Sequence, residues 1–296
     1  MPSAQRIEHV HVKVEELDSA VPFYTDVMGL VEQDRSDGTV YLGCGLDENF
    51  DLAVSEGGTG LDHVAVRVES EDEVESYEAR LTDEGVDVRR TDGEEPGQGV
   101  GVQFETPTGK RVEFVTVEDW AYFHSDEAQD GRLGVTPPDL DHVTLMSPDV
   151  QADAEFLRDV VDFKISNVIV AEENDDEWGG AFTRHGVHHH DIAFLGGPPE
   201  YSMHHVAWEM ESTEQMRMFV DRINQHGQEL ELGIGRHYVG DSIFSYFWEP
   251  GGNRFELAAG VADVDPNAEP GFYTFEEALS AWGPIIPPES FTSEGS

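Results

Sequence analysis

The protein has 296 residues, of which 62 are Asp or Glu and only 17 are Lys or Arg, giving a formal charge of -45 at pH 7. This excess of negative charge repels phosphate-rich polymers and surfaces, so nucleic acids and anionic membranes are excluded as partners. The single cysteine, Cys44, rules out an internal disulfide framework.

The acidic residues are spread over both halves of the chain, and lysine occurs only at Lys13, Lys110 and Lys164. This composition is typical of proteins from salt-loving organisms, where concentrated salt screens the repulsion between carboxylates. An acidic protein from ordinary surroundings is the alternative. No stretch of the chain is long and apolar enough for a signal peptide or a membrane-spanning helix. The sequence therefore predicts a soluble, cytoplasmic protein.

One pattern recurs four times along the chain, in copies that begin at Ile7, Leu61, Leu140 and Met203. Each copy opens with a strand in which apolar residues alternate, and a helix with apolar residues three and four positions apart follows. Short strands separated by Gly and Asp turns complete each copy. The repeat unit is therefore β-α-β-β-β, and the chain is predicted to be an α+β protein.

The second and fourth copies share further features. Their helices end near Gly85 and Gly227, and both copies close with a hairpin around a Pro-x-Gly turn, in FETPTGKRVEFV and FWEPGGNRFELA. Because the copies pair in this way, we predict two domains, each built from two units. The predicted boundaries are 1–118 for the first domain, 119–139 for a linker, 140–262 for the second domain and 263–296 for a C-terminal extension packed over it.

The second half carries two histidines and a glutamate at corresponding positions of its paired units. His142 and His205 lie in the opening strands, and Glu256 lies in the closing hairpin. Since the repeat brings these strands together, we expect the three side chains to converge. Two imidazoles and one carboxylate cover one face of a metal and leave its other positions open, which suits non-haem Fe(II) oxygen chemistry and differs from a closed structural zinc site. Mn(II) is compatible with the same ligands.

Three further polar side chains lie where an apolar sheet interior would be simpler. They are His190 in HHHDIAF, His237 in GRHYVGD and Tyr246 in FSYFWEP. Imidazole and phenol groups next to a metal orient its ligands or exchange protons with a substrate. We therefore expect these three residues to be part of the site.

Other histidines next to these positions carry weaker indications. His188 and His189 fit a solvated turn as well as they fit a site. Strand alternation predicts that His204 points to the opposite face from His205. None of the three neighbours, His188, His189 and His204, is assigned to the site.

The motifs together resemble the extradiol catechol dioxygenases of the vicinal oxygen chelate fold, such as the catechol and homoprotocatechuate 2,3-dioxygenases. The resemblance covers nearly the whole chain and rests on LDHVTLMSPDV, HHHDIAFLGG, MHHVAWEM, GRHYVGDSIFSYFWEPGGNRFEL and FYTFEEALSAWGPIIPP. It implies a homo-oligomer, since relatives are often tetramers. Position by position, it implies iron on His142, His205 and Glu256, an acid-base role for His190, a second active-site histidine at His237 and the active-site tyrosine at Tyr246.

The activity that this resemblance implies is cleavage of a catechol ring beside its two hydroxyl groups, with Fe(II) as cofactor and O2 as co-substrate. Tyr246 would assist deprotonation of the catechol, His190 would act first as base and then as acid, and His237 would polarise a substrate oxygen. The product would be a 2-hydroxymuconic semialdehyde or a close analogue.

The preferred substrate is expected to lack a carboxylate. Where homoprotocatechuate enzymes hold the substrate's carboxylate with arginines, this chain has Leu232 and, by a looser match, Ala278 and Leu279. A carboxylate buried without a partner is costly, so we predict catechol or an uncharged derivative, with its ring near Phe182. The alternatives are an extradiol enzyme for bicyclic or carboxylated catechols, a glyoxalase-like isomerase, and a protein of this fold that only binds metal-chelating molecules.

The first half repeats the metal-ligand pattern without the surrounding groups. Its equivalents of the three ligands are His9, His63 and Glu113, whereas the counterparts of His190, His237 and Tyr246 are Phe50, Glu94 and Gln103. The simpler interpretation is a remnant of duplication in which these side chains bond to one another or to water. A second, structural metal is the alternative, and only the C-terminal domain is predicted to be catalytic.

Overall fold

The computed structural model describes residues 4–118, 128–171, 177–284 and 286–296, and these ranges contain all four predicted units. The first unit consists of β1 (Ala4–Val14), α1 (Leu17–Phe23) with a π-helical continuation (Tyr24–Met28), β2 (Val31–Ser36), β3 (Thr39–Gly43) and β4 (Leu52–Glu56). The second unit consists of β5 (Gly60–Val68), α2 (Glu71–Asp83), β6 (Val88–Asp92), β7 (Gln98–Glu105) and β8 (Arg111–Val117).

The second half repeats this order of elements. The third unit consists of β9 (Leu140–Ser147), α3 (Val150–Val161), β10 (Lys164–Val170), β11 (Trp178–Arg184) and β12 (Ile192–Gly196). The fourth consists of β13 (Met203–Glu209), α4 (Thr213–Gln225), β14 (Leu230–Arg236), β15 (Ile243–Trp248) and β16 (Arg254–Ala259). The extension adds β17 (Gly271–Thr274), α5 (Phe275–Leu279) and α6 (Glu289–Ser293). The predicted α+β fold of paired βαβββ units is confirmed.

Each half forms one sheet, and both sheets have the same strand order. The first sheet runs β2-β3-β4-β1-β5-β8-β7-β6 and the second runs β10-β11-β12-β9-β13-β16-β15-β14, with β17 added in parallel beside β10. The two units of each half meet at the antiparallel pairs β1–β5 and β9–β13. The opening strands, which carry the histidines of the predicted metal site, are therefore central strands of their sheets.

Local sequence explains where three of the helices begin and where two of them end. The side chains of Ser70, Asp149 and Ser212 accept hydrogen bonds from backbone N–H groups three residues further on, at the starts of α2, α3 and α4. The chain leaves α2 and α4 through Gly85 and Gly227, whose φ angles are 78° and 88°, in a conformation that glycine adopts without strain. Within the described part of the chain, no helix is long and apolar enough to cross a membrane.

A continuous apolar core joins the two halves. The ring of Tyr24 from the first unit stacks on Phe255 of β16, with centroids 5.9 Å apart. Polar contacts reinforce this interface, since Nε of Arg222 on α4 donates a hydrogen bond of 2.7 Å to the carbonyl of Val27. The first half thereby supports the strands that carry the candidate site in the second.

The predicted linker and the extension both pack against the sheets. Residues 119–127 of the linker lie outside the described residues, and beyond them Nε of Arg132 donates to the carbonyl of Cys44 in the first half at 2.9 Å. The extension crosses the second sheet, where β17 pairs with β10 and the backbone of Ser296 exchanges hydrogen bonds with Met203. Its segments therefore reach the cavity of the second sheet.

Candidate metal centre and active site

The register of the second sheet brings the predicted metal ligands to one face. His142 on β9 pairs with Ala207 on β13, Ala207 pairs with Glu256 on β16, and Glu256 pairs with Tyr246 on β15. Directly paired residues face the same side of a sheet, so these side chains form a row across four strands. His205 lies two residues before Ala207 and shares its face. Strand register thus produces the convergence that the repeat predicts.

The three candidate ligand atoms are close enough to share one ion. Nε2 of His142 is 3.2 Å from Nε2 of His205, and Oε2 of Glu256 is 3.2 and 3.0 Å from these two nitrogens. A triangle of this size has its centre about 1.8 Å from each corner, so an ion about 2.1 Å from all three atoms fits just above its plane. The ligands lie on one side of such an ion and leave its other side open.

The hydrogen bonding of these side chains also fits a divalent cation. Both carboxylate oxygens of Glu256 are buried, and neither accepts a hydrogen bond of good geometry from the described residues. Nδ1 of His142 donates to Oδ1 of Asp141 at 2.6 Å, which leaves the lone pair on Nε2 to face the triangle. A divalent cation would satisfy these unpaired acceptors together.

The charge balance at His142 points the same way. Burial lowers the pKa of this imidazole, but hydrogen bonding to Asp141 and the nearby carboxylate of Glu256 outweigh burial and raise the pKa to about 9. Burial dominates at His205 despite the same carboxylate, and lowers its pKa to about 4. Positive charge is therefore favoured at this point of the sheet: without a metal a proton on Nε2 of His142 supplies it, and a bound cation would displace that proton.

The prediction that His204 faces away from His205 is wrong. Met203 and His205 pair with consecutive residues of β9, so His204 is an additional residue in a β-bulge, where strand alternation is interrupted. Nε2 of His204 donates to the carbonyl of Phe291 at 2.7 Å, and its Nδ1 accepts from Nδ1 of His205 at 2.6 Å. His204 thereby selects the tautomer of His205 whose Nε2 is free to bind a metal.

His189 belongs to the site and not to a solvated turn, since its side chain is buried. Oδ1 of Asn167 accepts a hydrogen bond from Nε2 of His189 at 2.6 Å, so Nδ1 of His189 accepts from Nδ1 of His190 at 2.9 Å. This leaves Nε2 of His190 without a proton. The ring of His190 lies 3.9 Å from that of His142, and burial together with the charge of His142 lowers the pKa of His190 well below its ordinary value. His190 is thus a neutral imidazole beside the candidate metal centre.

His237 and Tyr246 form a hydrogen-bonded pair next to Glu256. Nδ1 of His237 donates to the carbonyl of Leu279 at 2.6 Å, so its Nε2 accepts from the Tyr246 hydroxyl at 2.9 Å. Nε2 of His237 is also 3.7 Å from Oε1 of Glu256. Burial and the Glu256 carboxylate raise the pKa of Tyr246 well above its ordinary value, so the hydroxyl keeps its proton at neutral pH. The structure therefore places both residues beside the ligand set, as predicted.

A cavity of about 610 Å³, including its mouth, opens on these groups. Its other walls are mainly apolar and include Phe182, Ala278 and Leu279, as predicted. Leu232 does not line the cavity but packs behind it, in a cluster that contains Tyr246 and Leu279. Among the described residues that line the cavity, none is Lys or Arg.

The C-terminal extension closes one side of this cavity and is held by a buried arginine. The guanidinium of Arg254 donates to both carboxylate oxygens of Glu231 at 2.6 and 3.1 Å, and also to the carbonyls of Ser290 and Glu294 in the extension. The Arg254 side chain is 0% exposed. This anchor positions Phe291, which lines the cavity and accepts the hydrogen bond from His204.

The first sheet contains the same row of side chains. His9 on β1 pairs with Ala65 on β5, Ala65 pairs with Glu113 on β8, and Glu113 pairs with Gln103 on β7. His63 lies two residues before Ala65, as His205 lies before Ala207. The ligand pattern of the first half therefore has the register of the second, residue for residue.

The predicted counterpart of His237 in the first sheet needs a correction. Glu94 forms an ion pair of 2.7 Å with Arg89, whereas Oε2 of the next residue, Glu95, is 3.0 Å from Nε2 of His9. Glu95 lies in the loop between β6 and β7, where no strand pairing fixes the register, so the repeat does not determine which residue faces inward. Phe50 occupies its predicted place, with its ring 4.5 Å from that of His9.

Sequence reasoning missed four residues that directly precede the four strand histidines. Register shifts place each of them in a β-bulge, beside the histidine that follows. Three of them accept a hydrogen bond from Nδ1 of that histidine, whereas the fourth binds an arginine instead. The LDHV motif, which occurs at both 61–64 and 140–143, is a sequence signal that indicates two of these residues, Asp62 and Asp141. The four residues are Glu8, Asp62, Asp141 and His204.

Comparison with known proteins assigns two regions of the chain to described families. The family model described as the glyoxalase/bleomycin resistance protein/dioxygenase superfamily matches residues 139–257, and a catechol 2,3-dioxygenase-like N-terminal domain model matches residues 61–118. The chain is 28% identical to a manganese-dependent 2,3-dihydroxybiphenyl 1,2-dioxygenase from Geobacillus genomosp. 3, over 95% of this chain and 94% of that protein. It is also 28% identical to a metapyrocatechase from Pseudomonas sp. (strain CF600), over 85% of each chain.

The solved structures show the same relationship at the level of the fold. Homoprotocatechuate 2,3-dioxygenase from Arthrobacter globiformis superimposes with a TM-score of 0.87 and 26% identity, covering 100% of this chain and 92% of that chain. The similarity thus includes both sheets and the extension. Residues 139–257 therefore form a domain of the glyoxalase/bleomycin resistance protein/dioxygenase superfamily, and the chain as a whole is similar to extradiol ring-cleaving dioxygenases.

Proposed function

We propose that this dioxygenase cleaves catechol, or an uncharged substituted catechol, beside its two hydroxyl groups, with one iron(II) ion on His142, His205 and Glu256. The observation that supports this most directly is the composition of one cavity. It combines a three-ligand metal face, an unprotonated imidazole, a tyrosine–histidine pair and apolar walls. Each part has a task in ring cleavage, whereas an isomerase or a binding protein has no use for all of them.

The ligand set determines the charge that the substrate meets. Iron(II), when bound, supplies the Lewis acidity that favours a deprotonated catechol and a path for electrons between the ring and O2. His142 and His205 are neutral ligands and Glu256 contributes one negative charge, so a net charge of about +1 remains toward the cavity. That charge attracts a catecholate monoanion. The same ligands suit manganese(II), on which the Geobacillus relative depends by its name.

Tyr246 and His237 are arranged to take the first proton from the substrate. The Tyr246 hydroxyl donates to Nε2 of His237, whose Nδ1 already donates to the carbonyl of Leu279. A catechol hydroxyl that donates to the tyrosine oxygen can pass its proton along this path, which leaves His237 protonated and Tyr246 neutral. The carboxylate of Glu256, 3.7 Å away, stabilises the charge that develops on His237.

His190 is the candidate for the second proton transfer. Its Nδ1 is engaged with His189, so Nε2 accepts a proton from the other catechol hydroxyl and later returns it to the opening ring. The apolar walls exclude water, which strengthens these electrostatic interactions. His189 acts by holding the His190 ring and its tautomer in place.

The walls of the cavity favour a substrate without a charged substituent. Phe182 forms one wall, with its ring centroid 5.0 Å from that of His190, and Ala278 and Leu279 line another. A carboxylate on the ring would lose its hydration and find no lysine or arginine among the described lining residues. We therefore favour catechol and its alkyl or halogen derivatives.

A bicyclic catechol is the second candidate substrate. One observation favours it, namely the similarity over nearly the full length to a protein named as a 2,3-dihydroxybiphenyl 1,2-dioxygenase. An apolar wall that accepts an alkyl group is also compatible with a second ring. The ratio of kcat/KM for catechol to kcat/KM for 2,3-dihydroxybiphenyl decides between the two.

The activity is tested by loading the protein anaerobically with iron(II), adding catechol in air and molar KCl, and recording the absorbance of the yellow product. We expect kcat/KM for catechol to exceed that for 3,4-dihydroxyphenylacetate by at least about 100-fold, because the carboxylate of the latter is left unpaired. A higher value for 3,4-dihydroxyphenylacetate contradicts the substrate assignment, and no product from any simple catechol contradicts the activity. Protein loaded with manganese(II) in parallel decides the metal.

The proposal also covers the localisation of the enzyme, its oligomeric state and which part of the chain is catalytic. We propose a cytoplasmic homo-oligomer of a salt-loving cell, in which residues 140–262 carry the catalytic site and residues 1–118 are not catalytic. The formal charge of -45 supports an origin in a salt-loving cell, because molar salt shortens the Debye length to about 3 Å and so screens the repulsion between carboxylates. A melting temperature that does not rise between 0.1 and about 2 M KCl would contradict it.

A further inference from the structure

A second cluster of metal-binding side chains lies in the first sheet, outside the proposed active site. It consists of His9, His63, Glu95 and Glu113, whose nitrogen and oxygen atoms lie within 4.8 Å of one another. We propose that this cluster binds a second divalent cation of the first transition series, and that this ion is structural and not a second centre of ring cleavage.

The spacing of the four groups is that of ligands around one ion. Nε2 of His9 is 3.1 Å from Nε2 of His63, close to the 3.2 Å between the corresponding atoms of the second sheet. Oε2 of Glu95 is 3.0 and 3.5 Å from these two nitrogens, and Oε2 of Glu113 is 3.6 Å from that of His63. Ligand atoms about 2.1 Å from a metal are about 3.0 Å apart at right angles and about 3.4 Å apart at tetrahedral angles.

The net charge of the cluster also favours binding of a cation. The side chains of His9, His63 and Glu113 are at most 4% exposed, and that of Glu95 is 15% exposed. Two Nε2 atoms 3.1 Å apart cannot both carry a hydrogen, so at most one of the two imidazoles is positively charged. The four side chains of the cluster alone therefore keep a net negative charge, which is unfavourable among largely buried groups. The imidazole of His11, whose Nδ1 is 3.7 Å from Oε1 of Glu95, is a further group next to this charge. A divalent cation on two neutral imidazoles cancels that charge.

Neighbouring groups hold two of the four ligands toward the cluster. Nδ1 of His63 donates to Asp62 at 3.2 Å, and Glu113 accepts from Oγ1 of Thr91 at 2.5 Å and from Nε2 of Gln103 at 2.9 Å. Such outer hydrogen bonds orient metal ligands and fix their tautomers. A Cβ at position 101 would lie 2.5 Å from Oε1 of Glu113, so the carboxylate fills space that only glycine leaves open.

Of the four candidate ligands, His9 has the fewest neighbouring groups that hold its side chain in place. Its Nδ1 has no hydrogen-bond partner within the described ranges. The bulge residue before it, Glu8, binds Arg67 instead of supporting the imidazole. The ring of His9 is held by its contact with Phe50 at 4.5 Å and by Glu95.

The composition of this cluster is unsuited to ring cleavage. Four ligands leave two of six positions on an octahedral ion, whereas two catechol oxygens and O2 need three. Glu95 and Glu113 also cancel the ion's charge, so no net positive charge remains to attract a catecholate. Phe50 and Gln103 stand where the second sheet has His190 and Tyr246 and cannot exchange protons. The ion therefore ties three strands and one loop of the first half together without turning over substrate.

Manganese(II) is the probe for this site. The full-length protein is stripped with EDTA, reloaded with manganese(II), separated from free metal and assayed for metal per chain and for its electron paramagnetic resonance spectrum. We expect about two equivalents in the wild type and about one in His142→Ala, which leaves the first sheet unchanged. We expect about one equivalent in Glu95→Gln as well, with catechol turnover within about twofold of wild type.

The matched control is Glu94→Gln, the same substitution one residue earlier, at a side chain that pairs with Arg89 and is not one of the four candidate ligands. It should keep about two equivalents. The proposal is overturned if His142→Ala retains no manganese, or if Glu95→Gln binds as much as Glu94→Gln. Because the His142→Ala result needs no change in the first sheet, it decides the question even if Glu95→Gln does not fold.

Discussion

The two sheets of this protein carry the same row of side chains and differ in what surrounds it. In each sheet a histidine, an alanine and a glutamate lie side by side on central strands, and a second histidine lies two residues before the alanine. The second sheet adds His190 and the Tyr246–His237 pair. The first sheet adds a second carboxylate, Glu95, instead. The arrangement of the candidate metal ligands is thus a property of the repeat, whereas the proposed chemistry depends on a few neighbouring positions.

The cavities of the two halves differ in the polarity of their walls. The cavities of the second and first sheets enclose about 610 and about 600 Å³, including their mouths. The cavity of the second sheet is mainly apolar, whereas the cavity of the first sheet is lined by polar and charged groups that include Arg89 and Arg111. What separates them is the number of carboxylates at the metal and the polarity of the walls, since these determine whether an anionic aromatic ring is held next to the ion.

The largest effect is expected from removing the carboxylate ligand of the second sheet. Glu256→Gln should lower kcat for catechol at least about 1,000-fold, because an amide binds a divalent metal weakly and leaves the charge of the ion unbalanced. The equivalent substitution in the first sheet, Glu113→Gln, should leave kcat within about twofold. Steady-state rates measured at saturating iron(II) test both variants. Equal losses would show that the two sheets are not functionally separate.

Removal of the proposed base should affect the chemistry but not the metal. His190→Asn is expected to lower kcat by about 100- to 10,000-fold while the iron content stays unchanged. Phe50→His places an imidazole at the matching position of the first sheet, and no second activity should appear in a His142→Ala background. Rates and metal content are measured on the same samples. Full activity of His190→Asn would remove His190 from the mechanism.

Two arginines at equivalent positions should differ in their effect on stability. Arg254 is buried and pairs with Glu231, so Arg254→Met leaves an unpaired buried carboxylate and should lower the free energy of unfolding by about 3–5 kcal/mol. Arg111 is 41% exposed and pairs with Asp62, so Arg111→Met should cost less than about 1 kcal/mol. Urea unfolding in molar KCl measures both. Similar losses would argue against Arg254 as the anchor of the extension.

The smallest effect is expected from replacing His204, which holds a proposed metal ligand and does not itself bind the metal. His204→Leu removes the acceptor for Nδ1 of His205, which should weaken metal binding about 10- to 100-fold, with kcat recovering at saturating metal. His226→Leu, at the exposed C-terminal end of α4, is the matched control and should not change metal affinity. Titration with manganese(II) in a Glu95→Gln background isolates the second-sheet site. Unchanged affinity in His204→Leu would assign His204 to packing alone.

The sequence correctly predicted which side chains come together wherever the repeat placed them at equivalent positions of paired strands. His142, His205, Glu256 and Tyr246 lie on paired strands, and the structure brings them together as expected. It failed at His204, because a bulge inserts one residue and reverses the face that alternation assigns. The assignment of site roles to these residues stays a prediction that the variants above test.

The sequence by itself determined the four βαβββ units and the row of candidate metal ligands, because hydrophobic spacing is local and the repeat supplies the pairing of strands. Only the tertiary structure decided that Glu95 and not Glu94 reaches the first cluster, and that Phe291 of the extension closes the cavity and binds His204. Bulges, loop conformations and contacts of the extension depend on strands that are distant in sequence, so no local pattern encodes them.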